Sequence, residues 1–225
     1  MSSTRALIVA IDGPSGAGKG TVARAVASRL GYRHIDTGAM YRAVAWKARH
    51  QRVDVADEAA VAAIGERAIF DLDDGRVAID GTDVAKAIRT PEIDAAATAV
   101  ARHPSVRRVL VARQRAYGAD GGIVMEGRDI GTVVFPDADV KIYLDASPEE
   151  RARRRAADPA HATGTTGRQL SEVATALAER DRNDSTRATS PLMIADDAVV
   201  VDTTGVPVER VIDRVLELVE KRIRM

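Results

Sequence analysis

Apolar positions along the chain keep two rhythms. Five short runs rich in Val, Ile and Leu, namely "ALIVAID", "RHIDTG", "GIVMEG", "VKIYLD" and "AVVVDTT", alternate with stretches of helical spacing. Strands separated by helices predict an α/β fold with a parallel sheet covered on both faces. Between the first two runs Val22, Val26 and Leu30 recur at helical intervals, and Gly31 stands where a helix would end. The chain therefore opens as strand, glycine-rich loop, helix, strand.

The rhythm changes after Tyr41. In "AIFDLDDGRVAIDG", Phe70 and Leu72, then Val77 and Ile79, alternate about Asp74-Gly75, which predicts a hairpin inside a mostly helical stretch. Residues 42–104 read as a subdomain inserted into a core made of 1–41, 105–150 and 171–225. Further on, "SPEERARRRAA" starts a helix with Ser147 as cap, Pro148 in the first turn and Glu150 three residues after the cap. The Gly/Thr-rich "DPAHATGTTG" then reads as a hinge or mobile loop, and residues 151–170 as a lid. A following helix carries Leu170, Val173 and Leu177 toward Arg180, and Val208, Val211, Val215 and Leu218 mark a last amphipathic helix.

Composition narrows the classes. A chain of 225 residues with 45% hydrophobic content can bury a sizeable core, and its 33 basic and 33 acidic residues cancel. Bulk charge gives no case for a nucleic-acid or membrane partner, although a local cationic cleft stays open. There is no cysteine, so thiol catalysis and thiolate metal sites are excluded. The longest apolar run, Ala6 to Ile11, is too short to span a bilayer and no cleavable leader precedes it, so a cytoplasmic location is expected.

The chemistry starts at "GPSGAGKGT", that is Gly13, Pro14, Ser15, Gly16, Ala17, Gly18, Lys19, Gly20 and Thr21. Glycines between a strand and a helix let backbone N–H groups converge on phosphate oxygens, the helix N-terminus favours negative charge, and Lys19 can reach the outer phosphates. Gly20 stands where such loops usually place a magnesium-binding hydroxyl, which has moved to Thr21. Mg²⁺ would then be held mainly by nucleotide oxygens and water. Glu126 either orients those waters or pairs with a nearby arginine.

Asp36, Thr37, Tyr41 and Arg42 follow the second strand, at the strand end where ligands collect in open α/β sheets. Together, "IDGPSGAGKGT", "DTGAMYR", "EGRDIGTVVFPDADVKIYLDAS" and "ERDRNDSTR" resemble the bacterial cytidylate kinases, within the P-loop nucleoside monophosphate kinases. The resemblance covers nearly the whole chain. It implies a P-loop core with a five-stranded parallel sheet flanked by helices, a monophosphate-binding insert and a mobile lid. The implied reaction takes the terminal phosphoryl group of ATP, with Mg²⁺, to CMP or dCMP, and relatives suggest a monomer. Arg42 and Arg128 would hold the acceptor phosphate and Tyr41 would pack beside the acceptor. Thr37, Thr98, Arg107, Asp129 and Arg187 would line cytosine; Arg180 and Asp184 would meet ribose.

Side-chain chemistry agrees in part. Cytosine offers an amino donor beside ring acceptors, which a carboxylate plus arginines complements, and Asp129 with Arg107 or Arg187 supplies that set. Uracil has an acceptor where cytosine has that donor, so Asp129 should discriminate against UMP. Arg180, Asp184 and Arg187 share a face if their helix persists. Arg151, Arg154 and Arg155 share another, with Arg153 pointing away, and one or two of them would cover the transferring phosphoryl group. No histidine receives a role; His34 reads as a packed residue. Two alternatives remain, a monophosphate kinase for UMP or AMP and a P-loop nucleotide switch. "DTGAMYR" and the hairpin-bearing insert argue against the first. The arginine-rich acceptor set and the missing Asn-Lys-x-Asp guanine reader argue against the second.

Overall fold

The computed structural model describes residues 6–72, 76–158 and 169–224. Strands β1 (Ile8–Asp12), β2 (Arg33–Asp36), β6 (Ile123–Glu126), β7 (Val140–Asp145) and β8 (Val199–Asp202) correspond to the five apolar runs. They form one sheet in the order β2-β6-β1-β7-β8, with every neighbouring pair parallel. The inner strands are buried on both faces, as their unbroken apolar stretches require. Val9 and Ile11 of β1 face α1 (Lys19–Leu30) and the C-terminal helix, α8 (Val208–Ile223), with Val22, Val26, Val211 and Val215. Ala10, Ile35 and Met125 face the other way, toward Met40, Ala43 and Val44 of α2 (Thr37–His50).

Local signals fix the element ends. Gly31 closes α1 at φ 67, the left-handed conformation expected of it. Asp36 caps α2, its carboxylate accepting from Ala39 N at 3.0 Å. Ser147 caps α6 (Pro148–Ala157) by accepting from Glu150 N at 3.2 Å.

Between β2 and β6 lie α2, α3 (Glu58–Arg67), a small antiparallel sheet, α4 (Pro91–Val100) and α5 (Pro104–Tyr117). The expected pairing of the Phe70 and Ile79 runs is present as β3 (Phe70–Asp71) against β4 (Ala78–Ile79); its turn at Asp74-Gly75 lies outside the described residues. A third strand, β5 (Thr82–Asp83), follows through Asp80-Gly81, both at positive φ (49 and 77), as a two-residue hairpin turn requires. Asp80 also pairs with Lys47 of α2, tying the small sheet to the core. The Gly/Thr-rich stretch read as a hinge falls mostly at 159–168, outside the described residues. Helix α7 (Leu170–Thr186) follows it. That helix ends one residue short of Arg187, whose ψ of 142 is extended, so Arg180 and Asp184 share the helix while Arg187 lies just beyond it.

Candidate active site

One cleft of about 970 Å³ opens at the carboxyl ends of the parallel strands, at the upper end of the usual range for small-molecule sites. Its floor is the glycine loop. Gly13 packs so closely on β7 that a Cβ there would lie 2.0 Å from the Leu144 carbonyl oxygen, which demands glycine. Helix α1 has no side-chain cap and no acidic residue in its first turn, leaving its positive end for an anion. Lys19 is buried at this end and donates to the Pro14 carbonyl at 2.7 Å. Burial, then the nearby Arg128, pushes its ammonium down to about 7. Gly16, Ala17, Gly18, Gly20 and Thr21 line the cleft with it, whereas Gly13 and Pro14 do not.

Arg151 also lies off the cleft. It reaches behind the loop, donating to Ser15 O at 3.2 Å and Ala146 O at 3.1 Å, and it pairs with Asp181 of α7. Asp181 in turn accepts from Ser15 N at 3.3 Å, so Ser15 is held from both sides. Arg154 binds the Thr203 hydroxyl at 2.8 Å and Glu150 at 2.8 Å, and Arg155 crosses to Asp94 of α4; both line the cleft. Arg153, expected to point away, is exposed and paired with Glu150 but also lines the rim of the cleft.

Gly20 faces Glu126. A Cβ on Gly20 would lie 3.1 Å from Glu126 Oε1, so the residue that lacks the usual hydroxyl also leaves the space this carboxylate fills. The hydrogen-bond partner of Glu126 is His34 (Nε2 to Oε1, 3.0 Å) rather than an arginine, and both side chains are buried. Thr37 donates to the Glu126 carbonyl at 2.7 Å. No group of three or more His, Asp and Glu side chains gathers into a metal cluster among the described residues. With glycine at position 20, these donors fit an ion carried mainly by phosphate oxygens and water, with Glu126 alone from β6 beside it.

Across the cleft, Arg107 of α5 and Asp129 form an ion pair only 2% and 6% exposed. The Arg107 guanidinium lies 5.5 Å from the centre of the Tyr41 ring, whose hydroxyl burial pushes up to about 12. Arg128 donates to Asp184 at 2.9 Å, and Arg187 approaches the other carboxylate oxygen at 3.5 Å. Arg107 Nε and Arg187 Nη2 are buried donors without a hydrogen-bond acceptor among the described residues. Arg42 donates to Asp94 at 2.9 Å; Thr98, one turn on, lines the cleft and bonds back to the Asp94 carbonyl at 2.9 Å. Arg180 reaches Asp94 at 3.5 Å, and burial, then Arg42 and Arg128, push its guanidinium down to about 10.

Arg128 and Asp129 are themselves positioned by Asp12, at the end of β1. Its carboxylate accepts from Ile130 N at 2.8 Å and Gly131 N at 2.7 Å, fixing the wide π-helical turn Ile130–Val134 that follows them. Burial pushes this carboxyl up to about 6 although both N–H bonds favour its charged form.

Sequence reading missed four residues that shape the site: Asp12, His34, Asp94 and Asp181. For Asp94 and Asp181 one signal was available. An arginine-rich cleft needs buried counter-ions, and "TPEID" and "ERDRND" offered them. His34 carried no such signal, because only the β2–β6 pairing, His34 beside Val124, brings it to Glu126.

Residues 9–221 match the sequence model of the cytidylate kinase family. A cytidylate kinase of Solibacter usitatus is 48% identical over 96% of this chain and 94% of its own length, and one from a Geobacillus strain is 47% identical over 96% and 97%. The bifunctional pantoate ligase/cytidylate kinase of a Synechococcus strain is 49% identical, but the chain spans only 46% of that longer protein. Among solved structures, a shikimate kinase from Bacteroides thetaiotaomicron superposes with a TM-score of 0.52 at 12% identity, over 95% of this chain and 98% of that one, a likeness of fold.

Proposed function

The chain belongs to the cytidylate kinase family, and on that footing we propose that it transfers the terminal phosphoryl group of ATP to CMP or dCMP, giving ADP and CDP or dCDP. One observation carries the reading: a single cleft joins the phosphate loop to a buried carboxylate–guanidinium pair, Asp129 and Arg107, with the arginines between them.

The glycine loop and the N-terminus of α1 cradle the donor phosphates, and Lys19, charged once they arrive, stabilises the negative charge of the transferring group. Arg42 and Arg128 hold the acceptor phosphate in line with it, where Arg155 also reaches. Asp129 takes the cytosine amino group, and Arg187, with a free buried donor, takes a ring acceptor. Thr37, Tyr41, Thr98 and Arg107 complete the base pocket, Asp184 faces the ribose, and Arg180, drawn to Asp94 beside Arg42, turns to the acceptor phosphate rather than the ribose. Magnesium carried by ATP would be held mainly by phosphate oxygens and water, with Glu126 and Thr21 the residues that would orient it, and would supply charge neutralisation. We read residues 42–104 as the acceptor-binding insert, and α6, with Arg154 and Arg155, as the part that closes over the donor. We read the protein as a monomer acting on free nucleotides in the cytoplasm.

Turnover with ATP and Mg²⁺ against a panel of CMP, dCMP, UMP and AMP, read as ADP formed, tests the reading. Preference for CMP or dCMP with slow hydrolysis in the absence of acceptor is expected. A preference for UMP or AMP, or ATP hydrolysis without acceptor as fast as turnover with CMP, would overturn it.

A further inference from the structure

Three cleft arginines meet on the Asp94 carboxylate, and none of the family motifs contains it. Its Oδ1 accepts from Arg42 Nε at 2.9 Å and faces Arg180 Nη1 at 3.5 Å, and its Oδ2 pairs with Arg155. These arginines come from α2, α7 and α6, three separate parts of the chain. All three line the cleft, while Asp94 itself does not. Burial opposes the charge on Asp94, but Arg42, Arg180 and Arg155 together hold its carboxyl well below the usual range, so it stays ionised at neutral pH.

The three guanidiniums are therefore held from behind. Arg42 uses its Nε for Asp94, which leaves both terminal nitrogens; Arg180 and Arg155 each use one terminal nitrogen and keep others. The terminal nitrogens left over on the three guanidiniums form a donor set that suits the oxygens of a phosphate monoester dianion. Without Asp94, three like charges would repel and their long side chains would have to be ordered at the moment of binding.

We propose that Asp94 is a positioning residue for the acceptor phosphate: it gathers Arg42, Arg155 and Arg180 into a preformed anion clamp. Because Arg155 is carried on α6, it also links the donor side of the cleft to the arrival of the acceptor. This inference rests on the acceptor being a nucleoside monophosphate.

The experiment separates the two readings by comparing CMP with cytidine, which has the same base and sugar but no phosphate. Dissociation constants for both are measured by calorimetry on the wild-type chain, on Asp94→Asn and on Asp94→Glu. The wild type is expected to bind CMP far more tightly than cytidine, and equal affinities would overturn the acceptor reading itself. Asp94→Asn is expected to lower the CMP-over-cytidine ratio about tenfold or more, with cytidine affinity unchanged. Asp94→Glu, which keeps the charge, is expected to recover most of the ratio. A wild-type ratio retained in Asp94→Asn would overturn the clamp. So would parallel losses for CMP and cytidine, which would mark a general structural role.

Discussion

The Glu126 carboxylate occupies the space a side chain on Gly20 would need, its Oε1 lying 3.1 Å from the position of a Cβ there. The missing hydroxyl of the phosphate loop and the buried acid of β6 are thus one arrangement. Gly20→Ser should push Glu126 off His34, lowering turnover about tenfold and raising the Mg²⁺ concentration for half-maximal rate. A magnesium titration of activity checks this, and an unchanged midpoint would separate Glu126 from the ion.

Lys19→Ala should remove about 3 kcal/mol of transition-state stabilisation, a fall in turnover of about a hundredfold or more. Steady-state rates at saturating ATP and CMP provide the measurement.

The buried Lys19 ammonium also predicts a proton signature. With its pKa near 7 in the free protein, the amine is mostly neutral above that pH, and a bound polyphosphate raises the pKa again. ATP binding at pH 8.5 should therefore take up a proton, and at pH 6, where Lys19 is already charged, it should not. Calorimetry in buffers of different ionisation enthalpy reads this as the difference in slope between the wild type and Lys19→Met, which cancels protons lost by ATP itself. That difference should be large at pH 8.5 and absent at pH 6.

Asp129→Ala should narrow the ratio of kcat/KM for CMP over UMP at least about tenfold. It also leaves Arg107, 2% exposed, as a buried charge without its carboxylate, which should cost about 3 kcal/mol of folding stability. Denaturant unfolding and a two-substrate assay test the two effects separately.

Arg151 and Asp181 hold Ser15 from behind the loop, so Arg151→Ala should raise KM for ATP about tenfold while changing KM for CMP little. Initial rates with each substrate varied in turn would decide it. An equal rise in both constants would favour a direct role at the transferring group.

Much of the fold was legible because its signals are local. Val22, Val26, Leu30 and Gly31 define α1 within a dozen residues, Ser147-Pro148 starts α6, and the alternation from Phe70 to Ile79 marks its hairpin. Asp80-Gly81 is an equally local turn signal that the sequence reading passed over, and it places the third strand of the small sheet. The clustering around Asp94 was not, since its arginine partners lie 52, 61 and 86 residues away and only the packing of α2, α6 and α7 about α4 brings them together. The end of α7 was hidden for another reason. No glycine or proline stops it before Arg187, whose Nε instead donates to Ser190 O at 2.6 Å in the turn beyond.

Asp12 touches neither proposed substrate, yet it works as a spacer gauge between them. On one side the chain runs directly into the donor loop; on the other its carboxylate pins Ile130 and Gly131, and through them the residues proposed to grip the acceptor. The reach of the phosphoryl group from one nucleotide to the other is then measured out by a single short side chain. One methylene more, as in Asp12→Glu, would push Ile130 and Gly131 away from β1 and carry Arg128 and Asp129 with them, lengthening the jump.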